Sequence, residues 1–438
     1  MEKYSSYKDS GVKWLGEIPS HWTLLPGLAV MKENKEKNSN LEYNTVLSLS
    51  YGKIIIKKDI NEGLVPAEYN TYQIVKSGYI VIRCTDLQND KTSLRTGLVK
   101  NEGIITSAYL GLVIDAQNNP SYIHYFLHAW DITKELYRHG SGLRQSLSWL
   151  DLKRLPILIP SRTEQDAIVS YLDTVTTQID TAIFQQQKMI ELLNERKQII
   201  INNAVTKGLD PNVKMKDSGV DWIGDIPEGW EVRPIKHFKS KEKNAFVDGP
   251  FGSNLKSEHY VENGDVYVIE SGMVTTGKFV KKDFKSITFS HFKTIERSEC
   301  KPGDVIIAKI GAKFGMAAEL PDLGKRCVVS GNSLKLSLDQ KLMINSLFVC
   351  YMGLAKIRNG FIGLYQETAQ PALSLGGLNN MLFPVPPLNE QIKISQYLDT
   401  KISKIDAIVT IFEKQITLLQ ERKQIIINEV VTGKVKVV

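Results

Sequence analysis

Two long stretches of the chain repeat one apolar rhythm. Residues 164–206 and 390–432 align without a gap, and their apolar side chains recur alternately four and three positions apart. The first run is Ile168, Leu172, Val175 and Ile179, then Met189, Leu193 and Ile200. The second is Ile394, Leu398, Ile405, Ile408, Phe412, Leu419 and Ile426. This is a heptad seam, the pattern of a helix that packs on another helix. Neither stretch contains proline or glycine. Pro160, Pro386 and Pro387 precede the starts, and Gly208 and Gly433 follow the ends, as helix boundaries do. Each stretch is expected to be one helix of about 42 residues, hence roughly 60 Å long. The nearest partner for each seam is the other copy, at high effective concentration.

A shorter repeat lies upstream of each long one. YKDSGVKWLGEIPSHW at 7–22 matches MKDSGVDWIGDIPEGW at 215–230. The segments between box and helix differ in sequence and in length. Strand-like runs at 53–56, 79–83, 265–269 and 304–308 alternate with turn residues, and helices are expected at 121–137 and 344–356. Each segment closes on an apolar, proline-flanked strand, RLPILIPSRTEQ or MLFPVPPLNEQ, that runs straight into the long helix. The expected architecture is two α/β domains in a pseudo-twofold repeat, separated by two long helices in an antiparallel coiled coil. Its boundaries are 1–160, 161–208, 209–386 and 387–438.

Composition narrows the function. The 438 residues are 42% hydrophobic and 24% charged, which suits two or three packed domains and excludes disorder. A net charge of +7 permits nucleic acid without requiring it. The four cysteines, Cys84, Cys300, Cys327 and Cys350, have no zinc-module spacing and are expected as free thiols. The N-terminus lacks an apolar signal core, and no run approaches the roughly 20 apolar residues of a membrane span. A cytoplasmic chain with no membrane contact is the expectation.

Several motifs suggest chemistry and fall short of it. SGMVTTGKF at 271–279 has the glycine and lysine spacing of a phosphate loop, but Phe279 replaces the Ser or Thr that would ligate magnesium. His124 and His128 are helix-spaced without an H-E-x-x-H pattern, so no metal site is expected. Glu195-Arg196-Lys197 and Glu421-Arg422-Lys423 resemble the end of a nuclease motif but sit on helices, and a solvated or partner-contacting face is expected there. FPVPP lacks the Asn or Asp of an adenine methyltransferase. No catalytic residue set is repeated in the two halves, and the chain is not expected to be an enzyme.

The box K-D-S-G-V-x-W-[LI]-G-[ED]-I-P-x-x-W, the P-x-x-x-E-Q helix entry and the E-R-K-Q-I-I-I-N helix end resemble the specificity subunit of type I restriction–modification systems. The resemblance covers nearly the whole chain, and GPFGSNLKSEHY at 249–260 resembles the start of a target-recognition domain in that family. It implies two such domains reading the halves of a split, asymmetric site in double-stranded DNA. It also implies helices that set the gap and dock two methyltransferase subunits and the restriction/translocase subunits. S-adenosylmethionine, ATP and magnesium would serve those partners, and this chain would bind no cofactor or metal. Readout calls for polar and basic side chains at base edges and phosphates. Candidates in the first domain are Lys91, Ser93, Arg95, Arg144 and Gln145. In the second they are Ser253, Asn254, Lys256, Lys309, Lys313, Asn332 and Gln370.

Overall fold

The structure, a computed structural model, describes residues 2–57, 69–90, 94–140, 145–364 and 371–437. The chain divides into two compact units: unit 1 is Met1–Lys188 with Phe412–Val438, and unit 2 is Met189–Ile411. Both heptad stretches are continuous helices, Arg162–Lys207 and Leu388–Val431. Each helix therefore gives its first part to one unit and its last part to the other.

In unit 1 the two helix segments run antiparallel. The Trp22 indole donates to Glu164 at 2.9 Å, and its ring also meets the position of Gly433. Further along, Lys423 donates to Asp180 at 2.7 Å. Moving forward on one helix thus means moving backward on the other. Unit 2 is built the same way. Trp230 donates to Glu390 at 3.0 Å beside Gly208, and Lys197 reaches Asp406 at 2.5 Å. Both glycines have positive φ, +72° and +73°, and a Cβ would lie 2.8 Å from Glu390 or 2.4 Å from Pro19. Conformation favours glycine at both, and at Gly433 the rigid Pro19 ring leaves no space for a side chain either. Lys197 and Lys423 are half-buried ties between helices, while Glu195, Arg196, Glu421 and Arg422 are exposed, so only the two lysines depart from the expected solvated or partner-contacting face.

Most of the seam faces inward. Ile168, Leu172, Ile179, Ile394, Leu398, Ile405 and Ile426 are buried, and Val175, Leu193, Ile200, Phe412 and Leu419 are half-buried. Met189 and Ile408 are corrections: both are exposed, and the half-buried Ile190 and Val409 take the inward positions. The four–three rhythm continues from Ile179 through Ile183 and Gln186 to Ile190, and from Ile405 to Val409 and Phe412. One residue off that rhythm is about 100° around the helix.

The Glu-Gln pair at each helix entry welds helix to domain. Gln165 accepts from Asn119 N at 2.8 Å and donates to Asn118 and to Pro160 O. Gln391 accepts from Ile344 N at 3.0 Å and donates to Leu342 O and Pro386 O. Both side chains are 1% exposed. Gln165→Leu is expected to cost about 2 kcal/mol, because it strands a buried amide N–H and two acceptors. A lowered urea midpoint for unit 1 checks this.

The divergent segments share a scaffold. Unit 1 holds a four-stranded antiparallel sheet in the order Met31–Glu33, Tyr109–Ile114, Ile80–Arg83, Thr96–Leu98. Unit 2 holds Phe246–Asp248, Ser333–Leu336, Val305–Ala308, Ala317–Glu319 in the same chain order of first, fourth, second, third. A 13-residue helix follows each, Pro120–Ile132 or Asn345–Ile357. The first stops short of the expected residue 137, because Lys134 turns left-handed. The closing strands Pro156–Ile159 and Leu382–Val385 pair with Thr23–Pro26 and Glu231–Pro234.

The additions differ between units. Unit 1 adds the hairpin Leu47–Ser50 and Lys53–Ile56 and the pair Gln73–Val75 with Gly103–Ile105. Unit 2 adds a second four-stranded sheet, Lys285–Ile287, Val266–Ile269, Arg326–Val329 and Glu299–Cys300, whose central pair is parallel. The cores centre on Trp22, Tyr122, Phe126 and Trp130 in unit 1, and on Trp230, Phe238, Phe348 and Phe383 in unit 2. All four thiols are free, with Cys300 and Cys327 opposite each other on adjacent strands. Among the described residues no helix is long and apolar enough to cross a membrane.

Candidate nucleic-acid interface

In unit 2, strand register gathers polar groups at one end of the sheet. Phe246–Asp248 and Val305–Ala308 end where the antiparallel Ser333–Leu336 begins, with Asp248 opposite Leu334 and Ala308 opposite Ser333. Asp248, Lys309 and Asn332 therefore meet there. Lys309 N donates to Asn332 O at 2.9 Å, and its ammonium lies 3.4 Å from Asp248. Arg297 reaches the other Asp248 oxygen at 3.1 Å. One carboxylate thus faces two cations, and Glu270 and Asp283 stand in the same wall as Lys282, so the rim carries charges of both signs.

The parallel strands of the second sheet deliver Glu270, Ser271 and Ser330 to the same place. Together these loops enclose a cavity of about 630 Å³, lined by Phe251, Tyr260, Lys282, Lys309 and Asn332 among others. The cavity wall begins at Gly249, whose close approach to Ser330 leaves no room for a side chain: a Cβ would stand 1.9 Å from Ser330 O.

The sequence candidates fall into three groups. Lys309 and Asn332 line the cavity, and Ser253 and Asn254 are exposed on the loop that forms its mouth. Lys256 and Lys313 are exposed outside the lining, Lys256 3.9 Å from Glu258. Lys91, Ser93, Arg144 and Gln370 lie outside the described residues. Lys278, in the phosphate-loop-like segment, is ion-paired to Asp406 at 2.6 Å, which accounts for its position without a nucleotide.

Arg95 is placed inside unit 1, which corrects its reading as a surface contact, whereas Gln145 is half-buried. Arg95 is fully buried. Its guanidinium donates to the carbonyls of Arg83, Thr85, Asp86 and Asp90 and to the Tyr137 hydroxyl. The amide of Gln145 donates to Tyr137 O and His139 O. Arginine in a loop signals charge, but its five donors also make it the side chain best suited to hold a turn of carbonyls. The loop that Arg95 braces leaves the sheet after Ile80–Arg83, the topological counterpart of the segment after Val305–Ala308 that carries Lys309.

Asp248, Phe251, Lys282 and Arg297 were not singled out from sequence. Phe251 alone lies in a marked segment, GPFGSNLKSEHY, where the turn and the resemblance point to the stretch and not to the ring. Among the described residues no group of three or more His, Cys, Asp or Glu side chains could hold a metal.

Comparison with known proteins agrees with this arrangement. Residues 227–418 match the family described as type I restriction modification DNA specificity domain. The type I restriction enzyme MjaVIII specificity subunit of Methanocaldococcus jannaschii is 25% identical over 65% of this chain and 63% of its own length. From the same organism, a protein provisionally named the MjaX specificity subunit is 24% identical over 98% of both chains. A solved chain, from a structure describing complex assembly and conformational transition of the type I R-M system, shares the fold. It has a TM-score of 0.69 at 14% identity, over 95% of this chain and 99% of that one.

Proposed function

We propose how this chain, which carries the DNA specificity domain of type I restriction–modification systems and is supported as a specificity subunit of that class, performs recognition. Each unit reads one half of a split, asymmetric site in double-stranded DNA, the long helices set the gap, and other subunits supply the chemistry. One observation carries this reading: the frame is the same in both units, down to the Trp–Glu and Lys–Asp pairs, while the loops at the sheet end differ. A repeated frame with unlike reading ends fits two different half-sites.

The helices also carry a repeated outer face. Leu192 and Ile199, and their counterparts Leu418 and Ile425, are 48%, 59%, 54% and 55% exposed. The first pair belongs to unit 2 and the second to unit 1, so each unit offers one such stripe. The stripes are the proposed seats of two methyltransferase subunits, which would bring S-adenosylmethionine. The restriction/translocase subunits, which use ATP and magnesium, join that assembly in the cytoplasm. Leu418→Glu with Ile425→Glu is expected to leave the unfolding midpoint within about 0.5 kcal/mol of wild type, as surface changes do. It should abolish co-purification of one methyltransferase copy; undiminished assembly would refute the seat.

The function is tested by mapping methylated adenines in cells that carry this chain and its methyltransferase. A two-part motif is expected, and exchanging residues 23–155 for another recognition domain should change one half of it. Inserting one heptad in both helices should lengthen the gap and keep both half-sites. A contiguous motif, or methylation by the purified chain alone, would overturn the proposal.

A further inference from the structure

Phe251 is the feature of the cavity that stability does not explain. Its side chain is 73% exposed, second only to Tyr51 among the aromatic residues described as exposed. A single exposed apolar residue is ordinary, but this one is held out by construction. Gly249 is pressed against Ser330 and donates its N–H to Ser333 O at 3.1 Å. Pro250 restricts the backbone next to the ring, and Asn254 N closes the turn on Phe251 O at 2.7 Å. The ring stands at the mouth of a 630 Å³ cavity, on a turn whose backbone is tied on both sides.

What surrounds the ring is charged and polar, with the cations Lys282, Lys285, Lys309 and Arg297 outnumbering the carboxylates Asp248, Glu270 and Asp283 by one. The Lys309 ammonium is 5.9 Å from the ring centroid, and Lys282 and Asn332 share the cavity wall. Arg297 stands on the other side of Asp248. An apolar protein partner would leave these cations desolvated. A polyanion with flat apolar faces between its charges satisfies both, and a base stack flanked by phosphates has that character.

We infer that Phe251 is a wedge that enters the base stack at one step of the half-site read by unit 2, with Lys309 and Arg297 placed for the flanking phosphates. The inference rests on the reading of unit 2 as a DNA-recognition domain. The wedge opens one step, so the sequence that unstacks at least cost is favoured there without a hydrogen bond to either base.

The test places 2-aminopurine at successive positions of the half-site found by methylation mapping, and uses the full chain in its purified assembly. Wild type should raise the fluorescence at one step. Phe251→Ala should abolish that rise and weaken binding about 10- to 100-fold, while Phe251→Trp keeps both. An unchanged unfolding midpoint shows that the variants fold. The wedge is overturned if wild type produces no rise at any step, or if the rise survives in Phe251→Ala. Should wild type bind the half-site no better than scrambled DNA, the recognition reading itself fails, and the wedge with it.

Discussion

Arg95→Met is expected to lower the unfolding free energy of unit 1 by about 3–5 kcal/mol, the range for breaking a buried charged network. The side chain has no exposed surface, and its guanidinium satisfies the carbonyls of Arg83, Thr85, Asp86 and Asp90. Methionine fills much of the volume and none of the bonds. The loop 83–90 would lose its brace, and the carboxylate of Asp131, which accepts from Arg95 N at 2.5 Å, would lose a neighbouring positive charge. Urea unfolding followed by near-UV circular dichroism should show the unit 1 transition at lower denaturant and the unit 2 transition in place. A base-reading arginine would behave oppositely: the variant would unfold like wild type and lose preference at one position of the motif. The measurement thus separates a positioning residue from a contact residue.

The second large effect is acid sensitivity of unit 1. Burial, joined by the neighbouring His128, lowers the His124 pKa to about 3. Burial also lowers that of His128 to about 4, although its Nε2 lies 3.1 Å from Gln424 Oε1 and such a bond works against the shift; nearby Lys423 adds to it. Both rings are neutral when folded and titrate near 6.5 when unfolded. Between those values the unfolded chain binds more protons, so stability falls as pH drops from about 6.5 towards 4. Asp131 opposes this, because burial raises its carboxyl to about 6, and protonation there favours the folded state from about pH 6 downwards, across most of the same window. Two histidines outweigh one aspartate, and a net loss on the order of 3 kcal/mol by pH 4 is expected. Denaturant midpoints at pH 7, 5.5 and 4.5 should fall in unit 1. In His124→Leu most of the dependence should disappear, because Asp131 nearly offsets His128; the same slope in that variant would show that other groups govern it.

The helix frame was legible because it repeats and because its periodicity is local. Ile168, Leu172, Ile394 and Leu398 declare an inward face by spacing alone, and Gly208 and Gly433 mark the stops. Where the pattern offered two adjacent apolar residues, as at Met189–Ile190 and Ile408–Val409, spacing counted in whole residues chose the wrong one. The drift of a 3.6-residue helix against a mixed pattern decides such cases only when the partner helix is present. The role of the repeated Trp, Glu and Gln residues was invisible for another reason. Trp22 and Glu164 are 142 residues apart, and no local rule pairs them.

The reading end was less legible still. Lys309 and Asn332 were nominated by type and do line one cavity, with Ser253 and Asn254 exposed on the loop beside it, yet the same reasoning nominated Arg95, which serves the interior. Charge and hydrogen-bonding capacity are properties of a side chain and can be read from its letter. Exposure is a property of everything packed around it, and for loop residues that packing comes from strands far away in sequence. The sequence by itself determined the two helices and the duplicated frame, because both rest on periodicity and repetition along the chain. Only the tertiary structure decided that the unlike halves share one sheet order, that Arg95 is a brace, and that Phe251 is raised beside a charged, polar cavity. Each of those depends on strand register, which brings distant residues to one end of a sheet and leaves no trace in local spacing.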